Sequence, residues 1–344
     1  MKILFISPRF SGGIGGHAAM LADQLQKSKV QVDFVDPPKI PIKNLKNPSF
    51  VITSSVSSFF KGSYDIAHGF NVPSAFAMKT ARAKKKVLSV HGVFSDQITT
   101  LHSNLLGEVA KTTEENVLKW ADKLTTDSKI TQKTYKEKLG MDFEYLPSAI
   151  DTTKLDEIPN IEKKYKQIAY IGRDSYEKGI DILRGIESKI NGNVVYCTNL
   201  PWKEAMTILK SSTMLVVPSR MESLPTVVKE AFYLKIPVIA TNVGGVPELM
   251  KDGQTGFLIK KGDSQRLIEK ISLLLNNESQ RKSMGSFGRK FVEENFSVAG
   301  GRENQAIGGV SMGGGSATRI ALKHPERFAT CLTIFPPLNI RYEH

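Results

Sequence analysis

TMLVVPSRMESLPTVVKEA, residues 213–231, reads as an apolar strand, a turn and the opening of a helix. A short apolar run handed straight to a helical pattern belongs to a parallel α/β sheet, in which helices carry the chain from strand to strand. Glu222 and Glu230 stand eight positions apart across that turn. Ser223 or Leu224 is the expected N-cap, with Pro225 in the first helical turn, where a missing N–H costs nothing. Glu230 then lies roughly 9 Å into the helix at ~1.5 Å per residue, and its side chain leans back toward the N-terminus. Two carboxylates so placed suit the hydroxyls of a ribose and a sugar; the plainer reading is a pair of solvated helix-face glutamates.

Upstream, IGRDSYEKG (171–179) puts Arg173 and Lys178 on a turn bracketed by Gly172 and Gly179. An Arg–Lys pair alone is ordinary surface charge, but the glycine bracket favours a backbone shaped around a ligand. At 4 Å and an effective dielectric near 20, one cation–phosphate contact contributes on the order of 4 kcal/mol before desolvation. Two cations, two carboxylates and a helix N-terminus are what a nucleotide diphosphate carrying a sugar requires. The charge on a departing nucleoside diphosphate grows in the transition state, so cations placed there accelerate chemistry as well as bind.

The same alternation runs along the chain. Strands are expected at 2–7, 30–35, 50–54, 65–70, 86–92, 123–128 and 143–148, with helices over 15–27 and 105–121. A lysine-rich stretch, 152–166, reads as a linker, after which strands resume at 167–172, 194–198, 213–219, 237–242 and 256–259. The expectation is an α/β protein of two Rossmann-like, doubly wound parallel-sheet domains facing a cleft, residues 1–151 and 167–297. Ligands in such sheets bind beyond the carboxyl ends of strands. Arg173, Glu222, His91 and the glycines around Gly12 all follow such ends.

In SPRFSGGIGGHAAMLADQL, the glycines at 12, 13, 15 and 16 permit positive φ and close backbone approach before a helix opens. The spacing is neither G-x-G-x-x-G nor a Walker loop, and turns use glycine routinely, so this motif is weak by itself.

The totals narrow the class. At 344 residues with 40% hydrophobic and 24% charged residues, the chain is an ordinary globular protein of two-domain length. No apolar run reaches 18 residues, MKILFIS lacks a signal-peptide core, and Cys197 and Cys331 supply neither a disulfide framework nor a metal quartet. A cytoplasmic location follows, peripheral at the inner membrane face in one reading. The net charge is +13, and the densest basic run is Arg82, Lys84, Lys85 and Lys86, with Lys43 and Lys46 in another segment. It fits a solvated basic surface or docking on anionic lipid; no aromatic-interleaved basic motif points to nucleic acid.

The segment from Pro218 to Asp263 resembles the carboxyl-terminal half of the retaining glycosyltransferases of family 4, which have the GT-B architecture. The similarity runs over roughly residues 1–297, with E-x7-E as its specific signature. The resemblance implies a metal-independent hexosyltransferase that takes no cofactor and moves a sugar from a nucleotide-diphosphate donor to a glycan or lipid hydroxyl. It implies that Glu222 contacts the donor sugar near the reacting centre and that Glu230 contacts the ribose. Arg173 and Lys178 would hold the diphosphate, the Thr226 backbone N–H would face the phosphates, and Gly12 and Gly13 would lie near them. His91 in SVHG would face the sugar from the first domain. No D-x-D sequence occurs, in keeping with cations replacing a metal. Departures from the pattern lie at 147–151 (PSAID), where many relatives have Pro-Asn-Gly, and at Pro225, a common glycine position. Residues 196–199 are the candidate for base recognition.

Residues 298–344 break from that resemblance, replacing an expected crossover helix. GGVSMGGGSA resembles the nucleophile elbow of α/β-hydrolase esterases, with Ser311 between Gly309 and Gly313. No Asp follows Ser311, and no hydrolase sheet precedes it, so the tail reads as a fragment of another fold. His324 in HPERF reads as part of a helix-end turn. The competing functions are therefore a sugar-nucleotide-binding protein with impaired turnover, a serine esterase fragment, and a sugar-nucleotide epimerase.

Overall fold

The computed structural model describes residues 1–8, 13–35, 46–101, 104–296, 306–310 and 330–334. Contacts divide the chain into two units: Met1–Pro147 with the strand pair at the carboxyl end, and Ser148–Gln305.

In the first unit, β1 (Lys2–Ile6), α1 (Gly13–Lys27) and β2 (Gln31–Val35) open the fold. They are followed by α2 (Lys46–Phe60), β3 (Tyr64–Phe70), α3 (Val72–Thr80) and β4 (Ala83–Val90). The unit continues with α4 (Phe94–Leu101), α5 (Asn104–Leu118), β5 (Lys123–Thr126), α6 (Lys129–Leu139) and β6 (Glu144–Tyr145). The strands form one parallel sheet in the order β2-β1-β3-β4-β5-β6. Alternate residues of β1 enter opposite cores: Ile3 and Phe5 face α1, while Leu4 and Ile6 face the side with Phe50, Ala75 and Val117.

The second unit begins with α7 (Thr152–Asp156), β7 (Gln167–Ile171), a 3₁₀ turn at Tyr176–Lys178 and α8 (Ile180–Ile186). Next come β8 (Asn193–Cys197), α9 (Trp202–Ser211), β9 (Met214–Val217), α10 (Thr226–Tyr233) and β10 (Val238–Thr241). It closes with α11 (Val246–Leu249), β11 (Gly256–Ile259), α12 (Ser264–Asn276) and α13 (Glu278–Phe296). Its parallel sheet has the order β11-β10-β9-β7-β8, the doubly wound arrangement expected. Among the described residues, no helix is long and apolar enough to cross a membrane.

Three expectations need correction. FVITS (50–54) is not a strand but the middle of α2. Its buried positions are Phe50, Ser54 and Ser58, a helical period carried mostly by small polar residues. The Thr53 and Ser55 hydroxyls donate to the carbonyls of Ser49 and Val51, four residues back, at 2.8 and 2.6 Å. Ser58 Oγ donates to Ala77 O at 2.8 Å and ties α2 to α3.

Nor is 152–166 a free linker. Leu155 and Ile158 are buried in the second core, and the Lys163 ammonium donates to the carbonyls of Lys210 and Ser212 at 2.8 and 3.1 Å. The stretch belongs to the second unit, which begins at Ser148 rather than Gln167. Alternating lysines concealed the two apolar anchors. Finally, Pro225 is the N-cap of α10 and Thr226 its first residue. Pro225 has an extended backbone, φ −64° and ψ 116°, so the first helical turn begins one residue later than expected.

Of the carboxyl-terminal stretch, β12 (Ala306–Val310) and β13 (Thr330–Ile334) are described; they pair in parallel with each other and join neither large sheet. Ser311 and His324 lie outside the described residues.

Candidate functional site

In the second unit, β7 and β9 are neighbours, with Ile168 opposite Met214, so the chain after Ile171 and the chain after Val217 leave the same edge of the sheet. Two glycines, one in the loop after Ile171 and one in the loop after β10, let backbone close on the chain that follows Val217. Gly179, at φ +65°, sits where a Cβ would lie 2.0 Å from Pro218 O. Gly244, at φ +51°, sits where a Cβ would lie 1.8 Å from Glu222 O. Only glycine satisfies both the left-handed conformation and that approach.

Within this frame the Lys178 ammonium donates to both carboxylate oxygens of Glu222, at 2.7 and 2.8 Å. The Ser219 hydroxyl donates to Glu222 Oε1 at 2.7 Å, and the Glu222 side chain is 7% exposed. Arg220 fastens the two loops together. Its backbone N–H donates to Glu177 O at 2.8 Å, and its guanidinium makes two 2.7 Å bonds to Asp181 while lying 4.0 Å from the centre of the Tyr176 ring. Arg173 pairs with Glu177 at 2.8 Å but remains 56% exposed, a cation open to solvent at the strand end. The Ser175 hydroxyl, in the same loop, is buried with no partner among the described residues.

Glu230 stands apart from this cluster. Its carboxylate accepts from the Trp202 indole N–H at 2.8 Å. The half-buried carboxyl is closely surrounded, and that desolvation pushes its pKa up, opposed by the indole hydrogen bond and the neighbouring Lys229. Lys229 is fully buried and donates to the Ser148 carbonyl and, at 2.7 Å, to the Ser148 hydroxyl, which fixes the rotation of α10. Thr226 supplies the first helical N–H beyond Pro225. In the proposed base-recognition stretch, Tyr196 donates its hydroxyl to Glu187 at 2.8 Å, while Asn199 is exposed. Cys197 is buried, and burial pushes its thiol up to about 11, which leaves no thiolate nucleophile at neutral pH.

In the first unit His91 directly follows β4, is 5% exposed, and has its Nδ1 2.9 Å from Asp127 Oδ2. The His17 ring packs edge-on against it, with centroids 5.6 Å apart. Gly13 opens α1 at φ +41°, with open space where a Cβ would stand. Gly12 lies outside the described residues.

Of the residues that hold the site, Gly179 was singled out from the sequence, but the others were not. Gly244 and Arg220 lie in the quoted motif or just beyond it, yet their partners are distant in sequence. The Asp127 partner of His91 left no local signal. Trp202, one of two tryptophans and 40% exposed, was a usable cue.

The chain is similar to known proteins in sequence and in fold. Residues 186–291 match the family profile of the glycosyl transferases group 1, and residues 289–341 match that of an esterase family. The sucrose-phosphate synthase of Thermosynechococcus elongatus superposes with a TM-score of 0.71 at 19% identity, covering 87% of this chain and 95% of that one. Anabaena HepE in complex with UDP-glucose superposes at 0.64 and 17% identity, over 87% and 96% of the two chains. The fold is therefore that of the GT-B glycosyltransferases, two parallel-sheet Rossmann-like domains.

Among curated sequences, the capsular polysaccharide biosynthesis glycosyltransferase CapM of Staphylococcus aureus is 30% identical over 212 residues, 51% of this chain and 53% of that protein. The sulfoquinovosyl transferase SQD2 of Arabidopsis thaliana is 26% identical over 40% of this chain and 32% of its own length. The chain spans about half or less of the length of these curated relatives.

Proposed function

We propose that this protein is a retaining glycosyltransferase that moves a hexose from a nucleotide-diphosphate sugar to an acceptor hydroxyl on a glycan or lipid. The observation that carries the reading is the convergence of Lys178 and Glu222 on one strand-end edge, with Arg173 on the same loop as Lys178. In the free protein the ammonium and the carboxylate neutralise one another. A bound diphosphate would draw Lys178 and Arg173 to its oxygens, leaving Glu222 to accept hydrogen bonds from the sugar hydroxyls.

As the bond between the anomeric carbon and the diphosphate oxygen breaks, the sugar gains oxocarbenium character and the leaving group gains charge. Lys178, Arg173 and the N–H of Thr226 stabilise that charge. The acceptor oxygen bonds to the anomeric carbon on the same face, and the departing diphosphate takes its proton. Glu230 would hold the ribose, and His91 a sugar hydroxyl. On this reading neither metal nor cofactor is required, so activity persists in excess EDTA.

The acceptor-side partner includes an anionic lipid surface. Ile52, Val56, Phe59 and Phe60 of α2, and Leu105, Leu106 and Val109 of α5, are exposed apolar side chains on the two helices that flank α3. The guanidinium of Arg82 lies 5.5 Å from the Phe59 ring, and exposed Lys111 and Lys119 lie on α5 and just beyond it. Exposed apolar residues accompanied by cations suit an anionic leaflet. Co-sedimentation with phosphatidylglycerol vesicles should fall when Phe59 and Phe60 become serine; unchanged sedimentation removes this partner.

The direct test is nucleotide release from UDP-, GDP- and ADP-hexoses with and without acceptor, UDP-glucose first because HepE holds it. Acceptor-dependent release supports the transferase. Binding without release identifies a sugar-nucleotide-binding protein instead, and free sugar released without acceptor points to epimerase chemistry.

A further inference from the structure

We infer that Asp127 is the positioning residue for His91: it holds the imidazole as the Nδ1–H tautomer, so that Nε2 offers its lone pair to a hydroxyl of the bound substrate. The inference rests on the glycosyltransferase reading for the identity of that hydroxyl, but not for the tautomer.

His91 follows β4 and Asp127 follows β5, and Val90 and Thr126 are partners in the register, so the two side chains leave neighbouring strands at the same edge. Both are 5% exposed, and the Nδ1 to Oδ2 distance is 2.9 Å. An ionised carboxylate only accepts hydrogen bonds, so the hydrogen of this contact sits on Nδ1. Every other polar atom of His91 except Nε2 is also engaged. Its backbone N–H donates to Asn71 Oδ1 at 2.9 Å, and its carbonyl accepts from Gln97 Nε2 at 3.1 Å.

Asn71 adopts φ +69°, a conformation disfavoured for a side chain of its kind, at the start of α3. The fold thus retains backbone strain next to the histidine. Against this over-determined ring, Nε2 is buried and has no partner among the described residues. A neutral imidazole nitrogen of that kind is an acceptor, and burial without a donor is unfavourable until a ligand supplies one. A hydroxyl is the donor that a saccharide presents. Asp127 does not touch substrate in this account; it acts through the ring.

The test combines spectroscopy and kinetics on the full chain. In protein labelled with ¹⁵N-histidine, the His91 signals, assigned by their loss in His91→Ala, should show a protonated-type Nδ1 and a lone-pair-type Nε2. Asp127→Asn should abolish that preference and lower kcat/KM by about tenfold or more. The melting temperature of this variant should stay within a few degrees of the parent. Asp127→Glu should recover part of the rate, and the His91→Ala/Asp127→Asn double variant should be no slower than His91→Ala alone.

A protonated Nε2 in the parent protein overturns the inference even if Asp127→Asn does not fold. Unchanged kcat/KM in a folded Asp127→Asn variant overturns it as well. If no donor is turned over at all, the glycosyltransferase reading fails while the tautomer measurement still decides the role of Asp127. Deoxy donors and deoxy acceptors locate the hydroxyl: the analogue whose loss of rate vanishes in His91→Ala carries it.

Discussion

Lys178 reaches both carboxylate oxygens of Glu222 across 44 residues of chain, at 2.7 and 2.8 Å, and Glu222 has almost no exposed side-chain surface left. A pair held this closely is an electrostatic placeholder. Removing either partner leaves a partly desolvated charge, whereas on the proposed reading an incoming diphosphate and sugar would offer each partner a replacement. Glu222 is kept in position by backbone as well as by charge, since Gly244 presses on its carbonyl and the Gly245 N–H donates to Ser223 O at 2.7 Å.

That backing makes Gly244 a sensitive position in the second unit. Gly244→Ala adds a methyl 1.8 Å from Glu222 O at φ +51°, so the Glu222 loop must shift. Gly253 has φ +73° but open space around a Cβ, and Gly253→Ala isolates the conformational cost of roughly 1–2 kcal/mol. Gly244→Ala should therefore lower kcat/KM by about tenfold or more relative to Gly253→Ala. Equal kinetics in the two variants would show that Gly244 does not set the position of Glu222.

Glu230 separates stability from function. Desolvation raises its pKa, so the folded protein holds the ionised carboxyl at a cost at neutral pH. Glu230→Gln removes the charge and keeps an acceptor for the Trp202 indole. The melting temperature at pH 7.5 should hold or rise by a few degrees, while donor affinity falls about tenfold. Unchanged affinity for every donor would count against the ribose contact.

His68 supplies the pH dependence of the first unit. Burial, then the nearby His17 and His91, lower its pKa to about 3. Its Nε2 lies 2.7 Å from Ser89 Oγ, and its ring stacks 4.2 Å from that of Phe70. An unfolded histidine takes up a proton near pH 6.5 and the folded one does not, so the unfolded state binds more protons between about pH 6.5 and 3. Stability accordingly falls as pH drops through that window, by on the order of 2 kcal/mol from this group at pH 5. In melting scans from pH 7.5 to 4.5, His68→Gln should lose less than the parent protein. Identical slopes would assign the acid sensitivity elsewhere.

Legibility from sequence followed locality. The parallel sheets and the Arg173–Lys178 turn were readable because each signal lies within about ten residues: an apolar run, a glycine bracket, a helical period. Segment 50–54 misled because β-branched residues mask a helical face formed by Phe50, Ser54 and Ser58. The 152–166 stretch misled because charge dominates its composition, although Leu155 and Ile158 are core. What holds the site could not be read locally, since Gly179 needs Pro218, Gly244 needs Glu222, Arg220 needs Asp181 and His91 needs Asp127. These pairings span 22 to 39 residues, and only the folded sheet of each unit brings its own partners together.

Calorimetric titration of UDP, UDP-glucose and uridine into the parent protein and Lys178→Met tests the central claim most directly. The account predicts that both diphosphates bind about tenfold or more weakly to Lys178→Met while uridine is unaffected, because the lost contact is to phosphate. Equal diphosphate affinity in parent and variant, with the GDP and ADP compounds behaving alike, would contradict it.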